Sequence, residues 1–323
     1  MLLLAVAPAA DATFPGQNGR LALTYGAGDV DDGLTSGIFA GLPYASGSPL
    51  GWTAQACGSQ PPTPADPQGP NCLAGAGASF NLSGSVVAFG ATTALGNGQL
   101  AVAAADGTNL TLLPQQTAND VQPAFAPGRF GSAANATLAF QGVSGQGVSA
   151  NTVTDIFTLS LAMGSAPATA AELTQLTRFG DATAPDWSAR NRIAFSHAGQ
   201  LWAVNASGGA LTQLTKGGGD QASWSPGGTA VAFVRSGQVW RMAVGASGAG
   251  TQLRQLTRVA GGASWPVWSP DGRTIAFLRS GNVASIATIP AGGGRARTAL
   301  NGMRAVSDVA ALGAGGMAWQ SWR

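Results

Sequence analysis

A chain of 323 residues, 45% of them hydrophobic, can bury a large core, yet only 9% are charged against about 25% in a typical soluble domain. The net charge of +2 creates no field suited to nucleic acid, and no run reaches the roughly 18 apolar residues of a membrane-spanning helix. One histidine and two cysteines leave no material for a metal site of the His/Cys kind.

Residues 1–12 read as the back half of a secretory signal, with a short apolar core and a small-x-small ending at Ala10-Asp11-Ala12. No basic segment precedes that core, so the signal reads as truncated, with one domain following over 13–323. Strands are expected at Arg20–Tyr25 and Gly37–Leu42, although Gly19 to Leu23 carries the pattern of a second strand in the repeat described below. Between them, Asp29-Val30-Asp31-Asp32-Gly33 sets carboxylates in a Gly-rich loop that could take Ca²⁺. It lacks the downstream Glu of an EF-hand and serves equally as an acidic turn, so no cofactor is expected.

A Pro/Gly-rich loop follows at about 43–77. It holds both cysteines, Cys57 and Cys72, and cannot build a core of its own. A disulfide closing about 15 residues stabilises by roughly 3 kcal/mol in the chain-entropy model, and export to an oxidising compartment permits it. The expected location is therefore secreted or periplasmic.

From Ala78 onward one pattern repeats. A small–aromatic pair recurs at Ala88-Phe89, Ala139-Phe140, Ala194-Phe195, Ala232-Phe233, Ala276-Phe277 and Ala318-Trp319. An aromatic precedes most of them: Phe80, Phe125, Trp187, Trp224 and Trp268. Between the two lies a tight turn such as Ser269-Pro270-Asp271-Gly272, where Pro presets φ and Gly accepts the positive φ of a hairpin. A third strand carries Phe157, Trp202 or Trp240, and Leu173-Thr-Gln-Leu-Thr177, repeated at 211–215, reads as an outer edge strand. Units of about 40 residues with four short strands each indicate an all-β propeller. Five complete sets start near Ala78, Pro123, Pro185, Ala222 and Pro266. Two C-terminal strands, Asp308–Leu312 and Gly316–Ser321, with the two N-terminal ones, are expected to close a sixth blade and remove the open edges. Seven blades stand as the alternative.

The stretch Trp268-Ser-Pro-Asp-Gly-Arg-Thr-Ile-Ala-Phe277, with the weaker copies before it, resembles the repeat of the TolB-type propeller family. The resemblance is strongest over 173–277 and covers the propeller part alone, without the α/β domain that precedes it in that family. It implies a WD-like propeller that docks proteins, as the periplasmic family member docks a peptidoglycan-associated lipoprotein. The same repeat caps prolyl-oligopeptidase-type peptidases, whose Gly-x-Ser-x-Gly hydrolase domain this chain has no room for.

Candidate site residues follow from topology. In a four-strand meander, the outer-to-inner connection and the second-to-third hairpin emerge on one face. Asp120, Asp181 and Asp220 lie in connections of the first kind; His197, Arg235 and Arg279 lie on hairpins of the second. These six are expected to gather near one mouth of the central channel, with the cysteine loop above it. His197 is taken as a solvated turn residue rather than a catalytic base. The first reading is thus a non-enzymatic, monomeric scaffold that binds a protein or envelope component and neither binds nucleic acid nor spans a membrane. The second is a small lyase or hydrolase using the channel-mouth carboxylates, with or without a metal.

Overall fold

Small and large apolar residues alternate along each second strand, and that alternation decides how the chain stacks. The computed structural model describes residues 17–25, 37–41, 317–322 and, apart from 82, 93–97, 106–108, 110, 128–134, 144–152, 163–168, 246–247 and 281–283, residues 76–303. Every regular element among them is a strand. No described helix is long and apolar enough to cross a membrane. The expected signal at 1–12, the Asp29–Gly33 turn, Cys57, Cys72 and the strand expected at 308–312 lie outside the described residues.

After β1 (Gln17–Tyr25) and β2 (Gly37–Gly41), the chain forms five four-stranded antiparallel meanders. The first is β3 (Ala76–Phe80), β4 (Val86–Thr92), β5 (Gly98–Ala104) and β6 (Thr111–Leu112). The second is β7 (Asp120–Phe125), β8 (Asn135–Val143), β9 (Thr154–Ala162) and β10 (Thr169–Gln175). The third runs β11 (Thr183–Trp187), β12 (Arg192–His197), β13 (Gln200–Asn205) and β14 (Thr212–Gln213). The fourth runs β15 (Asp220–Trp224), β16 (Ala230–Arg235), β17 (Gln238–Val244) and β18 (Gly250–Gln255). The fifth is β19 (Ala263–Trp268), β20 (Thr274–Arg279), β21 (Ala284–Pro290) and β22 (Arg297–Met303). The last strand, β23 (Met317–Trp322), joins β1 and β2 in a three-stranded sheet of order β2-β1-β23.

The all-β propeller is therefore as expected, but the blade count is not. The described residues build five blades, and the terminal strands form a smaller sheet instead of a sixth four-stranded blade or a seventh. The expected sixth blade rests on Ala318-Trp319, which matches the second-strand pairs in sequence but not in place. In the structure β23 packs against the inner strands β19 and β3, so it takes an inner position, with β1 second. The second-strand pattern at Gly19–Leu23 marked that position correctly.

Four of the hydrophobic clusters span seams between blades rather than the interior of one sheet. Strand alternation sends Ala88 toward the second blade, where it meets Phe125, Leu138 and Phe140. Ala139 likewise meets Trp187, Ile193 and Phe195. Ala194 meets Trp224, Val231 and Phe233, and Ala232 meets Trp268, Ile275 and Phe277. The Ala-Phe pair is thus a small residue facing one neighbour and a large one facing the other. All five pairs from Ala88-Phe89 to Ala276-Phe277 have 0% exposure.

Inner strands carry a second repeated device. Three residues before each aromatic the backbone enters the left-handed region, at Gly77 (φ 78°), Gln122 (54°), Ala184 (51°), Gln221 (53°) and Trp265 (49°). A register shift accompanies each one, so these are bulges. A non-glycine residue there costs on the order of 1–3 kcal/mol. Seam hydrogen bonds offset that cost: Gln122 Oε1 accepts from the Ala184 N–H at 3.0 Å, and Gln221 Oε1 from the Trp265 N–H at 2.7 Å.

The Leu-Thr endings have a structural task that strand assignment alone conceals. β14 stops at Gln213, and Leu214 and Thr215 turn inward. Thr215 Oγ1 accepts the Leu201 N–H at 2.9 Å and donates to Gln200 Oε1 at 3.1 Å. Thr257 repeats this with Val239 and Gln238, at 2.8 and 2.9 Å, and Thr177 with Ile156 and Asp155, both at 2.8 Å. The hydroxyl ties the outer strand's exit to the start of the third strand.

Two stability outcomes follow, both read by urea denaturation. Thr257→Val keeps the shape but strands the Val239 N–H and leaves the Gln238 amide oxygen only the Val259 N–H, and should cost about 1–3 kcal/mol. At the second seam, the buried Trp187 indole N–H has no hydrogen-bond partner among the described residues. Trp187→Phe, matching Phe80 and Phe125 in that column, should therefore cost well under the roughly 3–5 kcal/mol of Trp187→Ala.

Candidate functional site

Two-residue hairpins place the first set of site residues. Ala198 (φ 49°) with Gly199 (68°), and Ser236 (49°) with Gly237 (66°), turn β12 into β13 and β16 into β17. Positive φ at both central residues is the geometry whose twist matches paired strands. His197 and Arg235 are thereby held at equivalent strand ends. The preceding connections bring Asp181 and Asp220 to the same side.

A cavity of about 320 Å³ opens where these parts meet, astride the seam between the third and fourth blades. Asp181, Thr183, Ser196 and His197 line it from the third blade, and Asp220 and Arg235 from the fourth. Four of the six sequence-derived candidates are brought together. The other two are not. Asp120 is fully buried, with Oδ1 accepting from the Thr117 N–H at 2.9 Å and hydroxyl at 2.5 Å, and Oδ2 from the Gln116 N–H at 2.8 Å. Burial pushes its carboxyl up, against the pull of those bonds. It closes its own turn and presents nothing outward. Arg279 is exposed at the end of β20 and does not line the cavity.

Asp181 grips the third-blade hairpin. One oxygen pairs with His197 Nδ1, and the other accepts the Ala198 N–H at 2.9 Å. Partial desolvation pushes the Asp181 carboxyl up, but the His197 and Ala198 bonds outweigh it and hold the group below the ordinary carboxylate range. His197 is not the solvated turn residue expected. Its side chain is only 21% exposed, and its ring lies 4.1 Å from that of Phe179 at 19° and 5.7 Å from that of Trp202.

The fourth-blade groups are engaged differently. Ser196 donates its hydroxyl to Asp220 Oδ1 at 2.5 Å, bridging the seam, and the Gln221 N–H reaches the same oxygen at 2.7 Å. The Arg235 guanidinium lies 5.4 Å from the centroid of the Trp240 ring. It also fills the space beside Gly217, where a Cβ would come within 1.8 Å of Nη2. Among the described residues the single ion pair is His197–Asp181, so Arg235 has no carboxylate partner there. Thr183, Ser196 and Phe179 were not singled out from the sequence. The signal for Ser196 was its place before His197, since neighbours on a strand point to opposite faces.

Below the cavity the seam is closed by a carboxyl. Asp186, three residues along β11 from Thr183, accepts the Trp224 N–H at 2.6 Å. Ser79 and Ser223 hold the matching bonds to Phe125 and Trp268, at 3.0 and 3.4 Å. Burial pushes the Asp186 carboxyl up to about 7, its hydrogen bonds to the Trp224 and Trp187 N–H groups only partly offsetting this. Among the described residues no group of three or more His, Cys, Asp or Glu is placed to hold a metal ion.

No family model matches the sequence, and no curated protein matches it. Similar solved structures include TolB from Acinetobacter baumannii, with a TM-score of 0.62 and 14% identity over 94% of this chain and 67% of that one. A putative TolB from Agrobacterium tumefaciens gives 0.56 and 14%, covering 88% and 89%. The Kuenenia stuttgartiensis hydrazine synthase gives 0.61 and 12%, covering 96% of this chain and 48% of that one. At such identities the likeness is one of fold.

Asp186 makes stability depend on pH. Its folded value lies above the unfolded one, so the folded state holds the proton more tightly, and stability should fall as pH rises from about 4 to about 7 and then level off. The slope approaches 1.4 kcal/mol per pH unit. Asp186→Ser, copying the neighbouring seams, should flatten that limb in denaturation curves collected from pH 4 to 8.

Proposed function

We propose that this chain is a non-enzymatic propeller scaffold of the TolB type, secreted or periplasmic, that binds a protein or envelope component through its hairpin-bearing face. The observation that carries the reading is the seam cavity, which gathers Asp181, Asp220, His197 and Arg235 while leaving Arg235 without a carboxylate partner among the described residues. The signal-like start and the fold shared with TolB structures support an exported propeller, and a Cys57–Cys72 bridge and a monomeric state are part of the proposal. Calcium, nucleic acid and a membrane span have no part in it.

The enzymatic reading stands second because, of the carboxylates it needs, Asp181 is held by His197 and the Ala198 N–H, and among the described residues a nucleophile–base pair is not formed beside them. Ser196 faces the fourth blade and bonds Asp220, while His197 faces Phe179 and bonds Asp181, so the imidazole is no base for that hydroxyl. Asp120 is spent on its own turn.

The test is affinity capture from an envelope extract with the wild-type chain and an Asp181→Asn/Asp220→Asn variant. The variant should retain its thermal transition and lose at least tenfold of the captured partner. Equal capture by both chains would remove this face from the proposal.

A further inference from the structure

The cavity's charges suggest what it holds. Resting on the binding-face reading above, we infer that the seam cavity is an anchor site for a zwitterionic group, taking a carboxylate on Arg235 and an ammonium on Asp220.

Size sets the first limit. Sites for drug-sized ligands run from about 300 to 1,000 Å³, so a cavity of about 320 Å³ suits one or two amino-acid units. The second limit is the inventory of groups with unused capacity. Arg235 presents a fork of N–H donors, and its position is set by the Trp240 ring on one side and the Gly217 backbone on the other. A guanidinium fixed in this way is matched by a carboxylate, which it can hold through two parallel bonds. Strand alternation places Arg235 beside Phe233 on the side facing the third blade, the side on which the cavity lies.

Asp220 supplies the opposite demand. Its Oδ1 is committed to the Ser196 hydroxyl and the Gln221 N–H, while among the described residues its Oδ2 carries no hydrogen bond. The Ser196 bond also fixes the carboxylate's direction. Asp181 does not compete for the ligand's cation, because both its oxygens are held by His197 and Ala198. One fixed donor fork and one fixed acceptor thus share a cavity without bonding each other. A ligand carrying only one sign leaves the other protein charge unsatisfied, whereas a zwitterion completes both.

The same chemistry has two sources: a free amino acid or short peptide with both ends charged, or adjacent acidic and basic side chains within a protein. Titration calorimetry on the full chain separates them, using Ala-Ala, its N-acetyl form, its C-amide, and acetyl-Glu-Lys-amide. If the source is a free end, Ala-Ala binds and each singly blocked form binds at least about tenfold more weakly. If the source is a protein segment, acetyl-Glu-Lys-amide binds and Ala-Ala does not. In either case Arg235→Gln should abolish discrimination by the carboxylate, and Asp220→Asn discrimination by the ammonium, with thermal transitions unchanged. Equal binding of all four probes, or binding of none at millimolar concentration, overturns the inference. Should envelope capture still depend on Asp181 and Asp220 in that case, the scaffold reading survives and only the zwitterionic anchor fails.

Discussion

The constraint on which the molecule depends is the complementarity of each seam, an alanine of one blade set against a phenylalanine and an inner-strand aromatic of the next. A β-strand offers its two faces to two different neighbours, so a blade that is small on one side and large on the other can only stack in one rotational sense. Repeating that asymmetry at the four seams between the five blades builds an array with no central sheet and no single core. Everything polar is then arranged around seams already fixed by volume. Side-chain acceptors at Ser79, Asp186 and Ser223 reach across to the next aromatic's N–H, and glutamines on the bulges do the same one turn of pleat earlier.

Scarcity of charge shapes the remainder. With few carboxylates available, arginines act as packing groups: Arg241 lies 5.7 Å from the Trp268 ring centroid, Arg192 fills the space at Gly248 and Arg254 that at Gly293. Burial lowers the tendency of Arg192 to hold its proton, as expected for a cation half withdrawn from water. Against this background the cavity that gathers two aspartates, a histidine and an arginine is a concentration of polarity.

Much of this was legible in the sequence because it is periodic. The Ala-Phe column, the aromatic before it and the turn between them recur in register, and their register is their meaning. What periodicity could not settle was the use of individual side chains. Asp120, Asp181 and Asp220 stand five, six and four residues before their aromatics, and a bulge intervenes in each inner strand. Those one-residue offsets decide whether a carboxylate folds back on its own turn, grips the next hairpin or faces a cavity. The threonines of the Leu-Thr endings were likewise visible as strand residues, while their hydroxyl bonds depended on a chain reversal that no propensity marks. The terminal sheet was misjudged for the opposite reason: Ala318-Trp319 imitates a column to which it does not belong.

The pairing of β23 with β1, in which Gln17 meets Trp322 and Leu23 meets Met317, spans nearly the whole length of the chain. Every other ladder among the described residues joins strands that are near neighbours in sequence, so blades can form as they emerge, one against the next. The joint between β1 and β23 must wait for all of them, and loop-closure entropy makes it the slowest contact to find. Until then the β1–β2 hairpin offers an unpaired edge to any passing strand. The ring is therefore most open to aggregation, and to chaperone capture, during the interval between completing its fifth blade and fastening this clasp.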